Sequence, residues 1–180
     1  MESQHIITET SRRLKEFAAD VLKTELDVPK EQTGLGIPEE SSPFSLCIFL
    51  YDFQKNTNMN NAQFRTVSVG KLRYPSGYYD LFYMLVPYSN GDRKYRTEEE
   101  LRMLDILLKK LGDAGFLEAD EQTAVTLVNP ELEEKIKIWN ALNQPLRAAL
   151  YCKLGPVEVE SERTKEIKRV KDVEMHVTDQ

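Results

Sequence analysis

Acid–base or nucleophilic chemistry in this chain would have to draw on very few residues. There are two histidines, His5 and His176, each within a few residues of a terminus. A catalytic base must be held within hydrogen-bond reach of its partner, and a chain end holds nothing that firmly, so a Ser-His-Asp or Cys-His arrangement is unsupported. The two cysteines, Cys47 and Cys152, both lie in apolar runs. They read as small buried thiols in a reducing compartment more readily than as a disulfide or redox pair. No CxxC, HExxH or calcium-loop spacing is present, and two distant cysteines lack further ligands, so no metal or cofactor is expected. No phosphate-cradling GxxxxGK[ST] or GxGxxG occurs either; Gly34-Leu35-Gly36, with Pro38 after it, reads as loop.

Carboxylates are plentiful, but most have a plain explanation. Glu98, Glu99 and Glu100, like Glu131, Glu133 and Glu134, fall where acidic residues favour a helix N-terminus. Asp52 and Asp80 differ, because each interrupts an apolar run where an unpaired carboxylate would be costly. They are either an acid or binding group, or strand-end or edge positions paired with a cation such as Arg65 or Arg73, and the second reading is the stronger. Chemistry is thus nearly absent, and the chain reads as something other than an enzyme. The remaining option of a small hydrolase or ligand-binding domain would rest on Asp52, Asp80 and the tyrosines around them.

The elements that would position these residues can be traced in order. Residues 6–24 place Ile7, Leu14, Phe17, Ala18, Val21 and Leu22 at helical spacing. Residues 26–43, with Pro29, Gly34, Gly36, Pro38 and Pro43, read as a long loop. Residues 44–53 are apolar on both alternating faces, the pattern of a strand covered on two sides. A polar stretch follows with Asn56, Asn58, Asn60 and Asn61, then a weaker strand at 66–72 and a turn at 74–77. Residues 78–88 form a second strong strand, with Pro87 at an end or edge.

Thr97 with Glu100 reads as a capping box, opening a helix whose stripe is Leu101, Leu104, Leu108 and Leu111 and whose stop is Gly112 or Gly115. A short strand at 124–128 leads to Asn129-Pro130, an N-cap followed by proline at the first helical position. That helix is expected to bury Leu132, Ile136, Trp139 and Leu142, and to end at Pro145. Residues 148–159 read as a strand interrupted at Gly155-Pro156, and 163–180 as an edge strand ending in a frayed tail. Its charges, Arg163, Lys168 and Arg169 among them, suit a solvated face or an arm pairing with another subunit. The expected fold class is α/β of the α+β type: a mostly antiparallel mixed sheet with helices packed on it.

At 180 residues the chain fits one domain, 1–180 with frayed ends. Its net charge of −6 and pI near 5.1 argue against nucleic acid, which demands a concentrated basic face. Neither a secretory leader nor a membrane-length apolar run is visible, so synthesis in the cytoplasm and no membrane partner are expected.

Taken in order, several of these segments resemble the tail-terminator or sheath-cap proteins of phage-tail-like contractile injection systems, in their N-terminal-type domain. The residues that carry the resemblance are Ser45-Leu46-Cys47-Ile48-Phe49-Leu50-Tyr51, the 56–61 asparagine stretch, and Tyr79-Asp80-Leu81-Phe82-Tyr83-Met84-Leu85. The 104–111 helix, Ile138-Trp139-Asn140-Ala141-Leu142, Pro145-Leu146-Arg147 and Ala149-Leu150-Tyr151 complete it. The family often has an Arg-Asn pair after its first strand, where this chain has Asn60-Asn61.

The resemblance implies a structural subunit of a bacterial particle, made in the cytoplasm and then incorporated. It would form a hexameric ring that ends the inner tube and anchors the last sheath layer, with itself, tube and sheath proteins as partners. A baseplate or adaptor component of the same kind of particle is the alternative. The expected interaction residues are Asn56, Asn58, Asn60, Asn61, Arg65, Arg163, Lys168 and Arg169, on the 54–65 loop and the C-terminal strand, with the 26–43 loop as a further contact.

Overall fold

A computed structural model describes residues 5–40, 42–59, 63–115, 117 and 123–167. Its frame is a five-stranded sheet of β1 (Thr33–Leu35), β2 (Leu46–Lys55), β5 (Gly77–Pro87), β7 (Leu150–Val159) and β6 (Ala124–Val128), in the order β1-β2-β5-β7-β6. Only β1 and β2 run parallel; the other neighbours are antiparallel. A second, three-stranded antiparallel sheet joins β3 (Arg65–Ser68), β4 (Lys71–Arg73) and β8 (Thr164–Glu166). The expected mixed, mostly antiparallel α+β architecture is present, divided into two sheets.

Both faces of the large sheet are covered, as the apolar runs at 44–53 and 78–88 require. On one face α1 (Ile6–Leu26) and α2 (Arg96–Ala114) bring Leu14, Ala18, Leu22, Met103, Leu107 and Leu111 against Leu46, Ile48, Leu81, Leu85 and Leu154. On the other, α3 (Leu132–Ala141) seats Trp139 among Cys47, Met84, Val86 and Tyr151. Strand alternation sorts these sets: Leu81, Tyr83 and Leu85 point one way, Met84 and Val86 the other. The two cysteines are therefore free, buried and on opposite faces. Burial pushes the Cys152 thiol up to about 12 and Cys47 to about 11, leaving both as inert packing groups.

Several local expectations are corrected. The 26–43 stretch contains a 3-10 turn at Lys30–Gln32 and the short strand β1. The single strand expected at 66–72 is a hairpin of β3 and β4, turned at Gly70 with φ 80. Helix α2 begins at Arg96 after Tyr95, with no side-chain cap. Glu100 accepts instead from the Ser89 backbone N–H at 3.1 Å and pairs with Arg147 at 2.8 Å. That inward tie sets the helix rotation, because Glu100, Met103, Leu107 and Leu111 share one face at helical spacing. Leu101 and Leu108 consequently stay about half exposed.

Gly115, at φ 64, ends α2, while Gly112 lies inside it. Helix α3 starts two residues later than Asn129-Pro130 suggests, and Asn129 Oδ1 instead accepts from Lys135 Nζ at 2.7 Å. Leu132 and Ile136 share the stripe of Trp139 but remain exposed, so only the C-terminal end of that stripe is covered by the sheet. The helix stops at Ala141, before Pro145.

Strand β7 is not interrupted at Gly155-Pro156. The pairs Tyr79↔Val157 and Leu81↔Leu154 leave both residues opposite Asp80 alone, so the strand absorbs them as a bulge. The peptide bond between them is cis. A Cβ on Gly155 would stand 3.1 Å from the Asp80 Cα, which explains the glycine. The expected edge strand in 163–180 exists as β8, and residues 168–180 lie outside the described residues.

Candidate interaction surface

Strands β2, β5 and β7 run from the covered core into a region where the second sheet is built. The chain between β2 and β5 supplies β3 and β4, and the chain after β7 supplies β8. Backbone bonds weld these pieces into an arm: Tyr74 N–H to Arg163 O at 2.9 Å and Ile167 N–H to Gly70 O at 2.8 Å.

One polar cluster ties the arm to the large sheet. Asn56 Nδ2 donates to Asp80 Oδ1 at 3.0 Å, and Lys153 Nζ stands 3.4 Å from Asp80 Oδ2. The Asn56 Oδ1 meanwhile accepts the backbone N–H groups of Asn58 and Met59 at 3.0 and 3.1 Å. Asn56 thus uses both ends of its amide, one downward to the sheet and one along the loop. Beside it, Arg65 pairs with Glu158 at 2.7 Å and reaches Glu160 at 3.8 Å, while Arg73 also pairs with Glu160. Arg163 lies over the Tyr74 ring at 4.4 Å, and Tyr74 packs against Phe64 with centroids 5.0 Å apart.

Asp80 does have a cation, Lys153 rather than Arg65 or Arg73, but it lies inside β5, a strand paired on both sides, and not at the expected strand end or edge. Among the described residues Asp52 takes no cation: its carboxylate accepts from Phe53 N–H and from Gln54 Nε2, each at 2.8 Å. Each carboxylate is tied off separately. Among the described residues no group of three or more His, Cys, Asp or Glu is placed to hold a metal ion. The tyrosines near them are packing groups; burial pushes Tyr51 and Tyr83 up to about 12, Tyr83 despite its 2.8 Å hydrogen bond with Ser11.

What the arm offers instead is uncovered apolar surface. Every residue of β3 and β8 is exposed, and Val69 is 82% exposed at the hairpin turn. Phe53, Met59, Phe64, Val67 and Ile167 are each between about two fifths and three fifths exposed. A three-stranded sheet needs a covered hydrophobic face for stability, and among the described residues of its strands only Leu72 and Arg73 are even partly covered. An exposed apolar cluster with a charged rim is the usual character of a protein-binding patch.

Of the residues expected to make contacts, Asn56, Asn58, Arg65 and Arg163 are brought together on this arm. Asn56 is half-buried and holds the loop; Arg65 and Arg163 are engaged within the arm, and Asn58 is exposed. Asn60, Asn61, Lys168 and Arg169 lie outside the described residues. The apolar members Phe64, Val67 and Val69 were not expected. Their signal is a stretch where valines alternate with polar residues inside an otherwise polar loop. Among the described residues no helix is long and apolar enough to cross a membrane.

A family profile described as the Pvc16 N-terminal domain matches residues 3–172. No curated protein matches the chain in sequence. In fold it is similar to the sheath/tube terminator of an extracellular contractile injection system, PVC, in its extended state, with TM-score 0.72 and 17% identity. That match covers 100% of this chain and 65% of the other. It is also similar to the tube-terminating cap of the anti-feeding prophage, with TM-score 0.65 and 16% identity over 94% of this chain and 61% of that one. The chain thus spans less than two thirds of either structure.

Proposed function

Because the chain belongs to the Pvc16 N-terminal domain family, we propose that it is a structural cap, or tail-terminator, subunit of a contractile, phage-tail-like injection particle. Residues 1–180 act as a single domain that assembles rather than catalyses. Copies close into a hexameric ring that ends the inner tube and anchors the last sheath layer, so that its partners are itself, the tube and the sheath. The subunit is made in the bacterial cytoplasm and then incorporated. Heterologous contacts close a ring when the rotation between subunits permits, and an arm standing off one side of the domain suits such head-to-tail contact.

The observation that carries this reading is the arm. Its sheet exposes apolar residues on β3, on the β3–β4 turn and beyond β8, which a free monomer has no use for. The arm is therefore assigned to contacts with neighbouring subunits, with Asn56 as its internal support and Asn58, Arg65 and Arg163 at its rim. Asn60, Asn61, Lys168 and Arg169 are assigned to the same contacts from the sequence.

The test is negative-stain microscopy of particles assembled without this protein. Overlong or uncapped tubes are expected. Tubes of normal length with their baseplates missing would overturn the cap role in favour of a baseplate or adaptor component.

A further inference from the structure

Charge is segregated along the middle of this chain. Residues 31–54 contain Glu31, Glu39, Glu40 and Asp52 but no lysine or arginine. Residues 55–79 contain Lys55, Arg65, Lys71 and Arg73 but no acid. The first block builds β1, the loop after it and β2; the second builds β3 and β4, the hairpin of the arm. Glu158 and Glu160 take up Arg65 and Arg73. At the arm and its root, Lys55, Lys71, Arg163 and Lys165 then stand against Glu162 and Glu166, so among the described residues the balance stays positive.

The acidic block carries the complementary features. Leu35 is 42% and Ile37 61% exposed, and Glu39 and Glu40 follow them in the open. Glu40 reaches Arg147 at 3.6 Å, whereas Glu39 has no ion pair among the described residues. Leu35 and Ile37 line an open cavity of about 350 Å³ together with Ile48, Leu50, Ser11 and Tyr83. Its two hydroxyls are already bonded: Ser11 and Tyr83 join each other at 2.8 Å, and Ser11 Oγ donates to Ile7 O. Apolar walls with satisfied hydroxyls suit aliphatic side chains better than a polar ligand. The arm holds such side chains without cover. Val67, Val69 and Ile167 lie at or beside the β3–β4 turn, where Ile167 N–H bonds to Gly70 O. They do not cover the cavity of their own chain, since both sets stay exposed. Ile48, where β1 ends, and Lys55, where the arm begins, are also seven residues apart on β2, about 23 Å.

We propose that the tip of the arm seats in this cavity on the next copy of the chain. Val67 and Val69 enter beside Leu35 and Ile37, and Lys71 meets Glu39. The contact is heterologous: each copy offers a basic apolar tip in one place and an acidic apolar cavity in another. Every copy is therefore both donor and acceptor, as closing a ring requires. Burial of the aliphatic side chains supplies the adhesion, and the opposite charges fix which patch meets which. The inference rests on the cap reading and names the surface on which the arm lands.

The experiment is cysteine cross-linking in assembled particles. Ile37→Cys and Val69→Cys in one chain are expected, on mild oxidation, to give a ladder of covalent multimers on a non-reducing gel. Either substitution alone should give none, because the native Cys47 and Cys152 are buried. Capped tubes that contain the double variant and yield no ladder would overturn this contact and leave the cap role standing. Tubes of normal length in particles lacking the protein would overturn the cap role instead. Where the double variant does not enter particles, a charge exchange decides. Glu39→Lys and Lys71→Glu, both at exposed positions, should each keep the melting temperature within a few degrees and lower incorporation about fivefold or more. Both in one chain should restore it, and failure to restore it would overturn the proposal.

Discussion

Asn56, one residue past the end of β2, and Asp80 on β5 are joined by a 3.0 Å bond between their side chains, one of the ties that fasten the arm to the sheet beneath it. The same amide supports the backbone of the loop through Asn58 and Met59. Asn56→Ala leaves the Asp80 carboxylate with Lys153 as its one remaining side-chain partner among the described residues and frees two loop amides. A loss of about 1–3 kcal/mol is expected, the range for leaving a partly buried acceptor short of a partner. Denaturant melting measures it, and faster tryptic cleavage at Lys55 and Arg65 than at Lys109 would localise the loosening to the arm.

Gly155→Ala is expected to destabilise by about 1–3 kcal/mol, because the new Cβ meets the Asp80 Cα at 3.1 Å and backbone must move. The strain falls on the strand position that carries Asp80, so combining it with Asn56→Ala should give less than the sum of the two losses. Simple additivity in urea titrations would show that the bulge and the cluster are independent.

Val67→Asp and Val69→Asp place charges where the arm is already in water. The isolated chain should keep its melting temperature within a few degrees, since exposed positions cost little. Incorporation into assembled particles should fall sharply, read by quantitative blotting of purified particles. Deleting residues 164–180 removes β8 and should likewise disturb the proposed ring; an unchanged assembly in native mass spectrometry would remove the C-terminal strand from the contact.

Alkaline pH offers a check on the core. Cys47 and Cys152 are raised from an ordinary 9.0 to about 11 and about 12, and Tyr51, Tyr83 and Tyr88 from 10.0 to about 12, all mainly by burial. Each group holds its proton longer when folded, so the unfolded chain ionises first. The stability is complete below about pH 9 and falls as pH rises from there through about 12. Equilibrium unfolding across pH 7–11 should show a plateau and then a decline. At pH 8 neither thiol should react with Ellman's reagent until denaturant is added.

Much of this fold could be read from residue order because the strong signals are local. The two-sided apolar runs gave β2 and β5, and the amphipathic spacing of Leu14, Ala18 and Leu22 gave α1. Where two stripes competed, as in α2, the choice lay with a tertiary tie: Glu100 to Ser89 and Arg147 fixes a rotation that no periodicity contains. Strand β1 was hidden for the same reason, since three residues carry no period and pair only because β2 is already there. The arm was half visible. Its asparagines, Arg65 and Arg163 stand out as polar residues in a turn-rich stretch, whereas Val67 and Val69 fall in a weak strand whose exposure follows only from the hairpin.

The continuity of β2, β5 and β7 from core to arm has a mechanical meaning. A pull on the arm is shared by three strands and carried along their backbones into the packed core, so that no cross-strand ladder is peeled open one bond at a time as a zipper opens. The arm is anchored in the direction in which a sheet yields last.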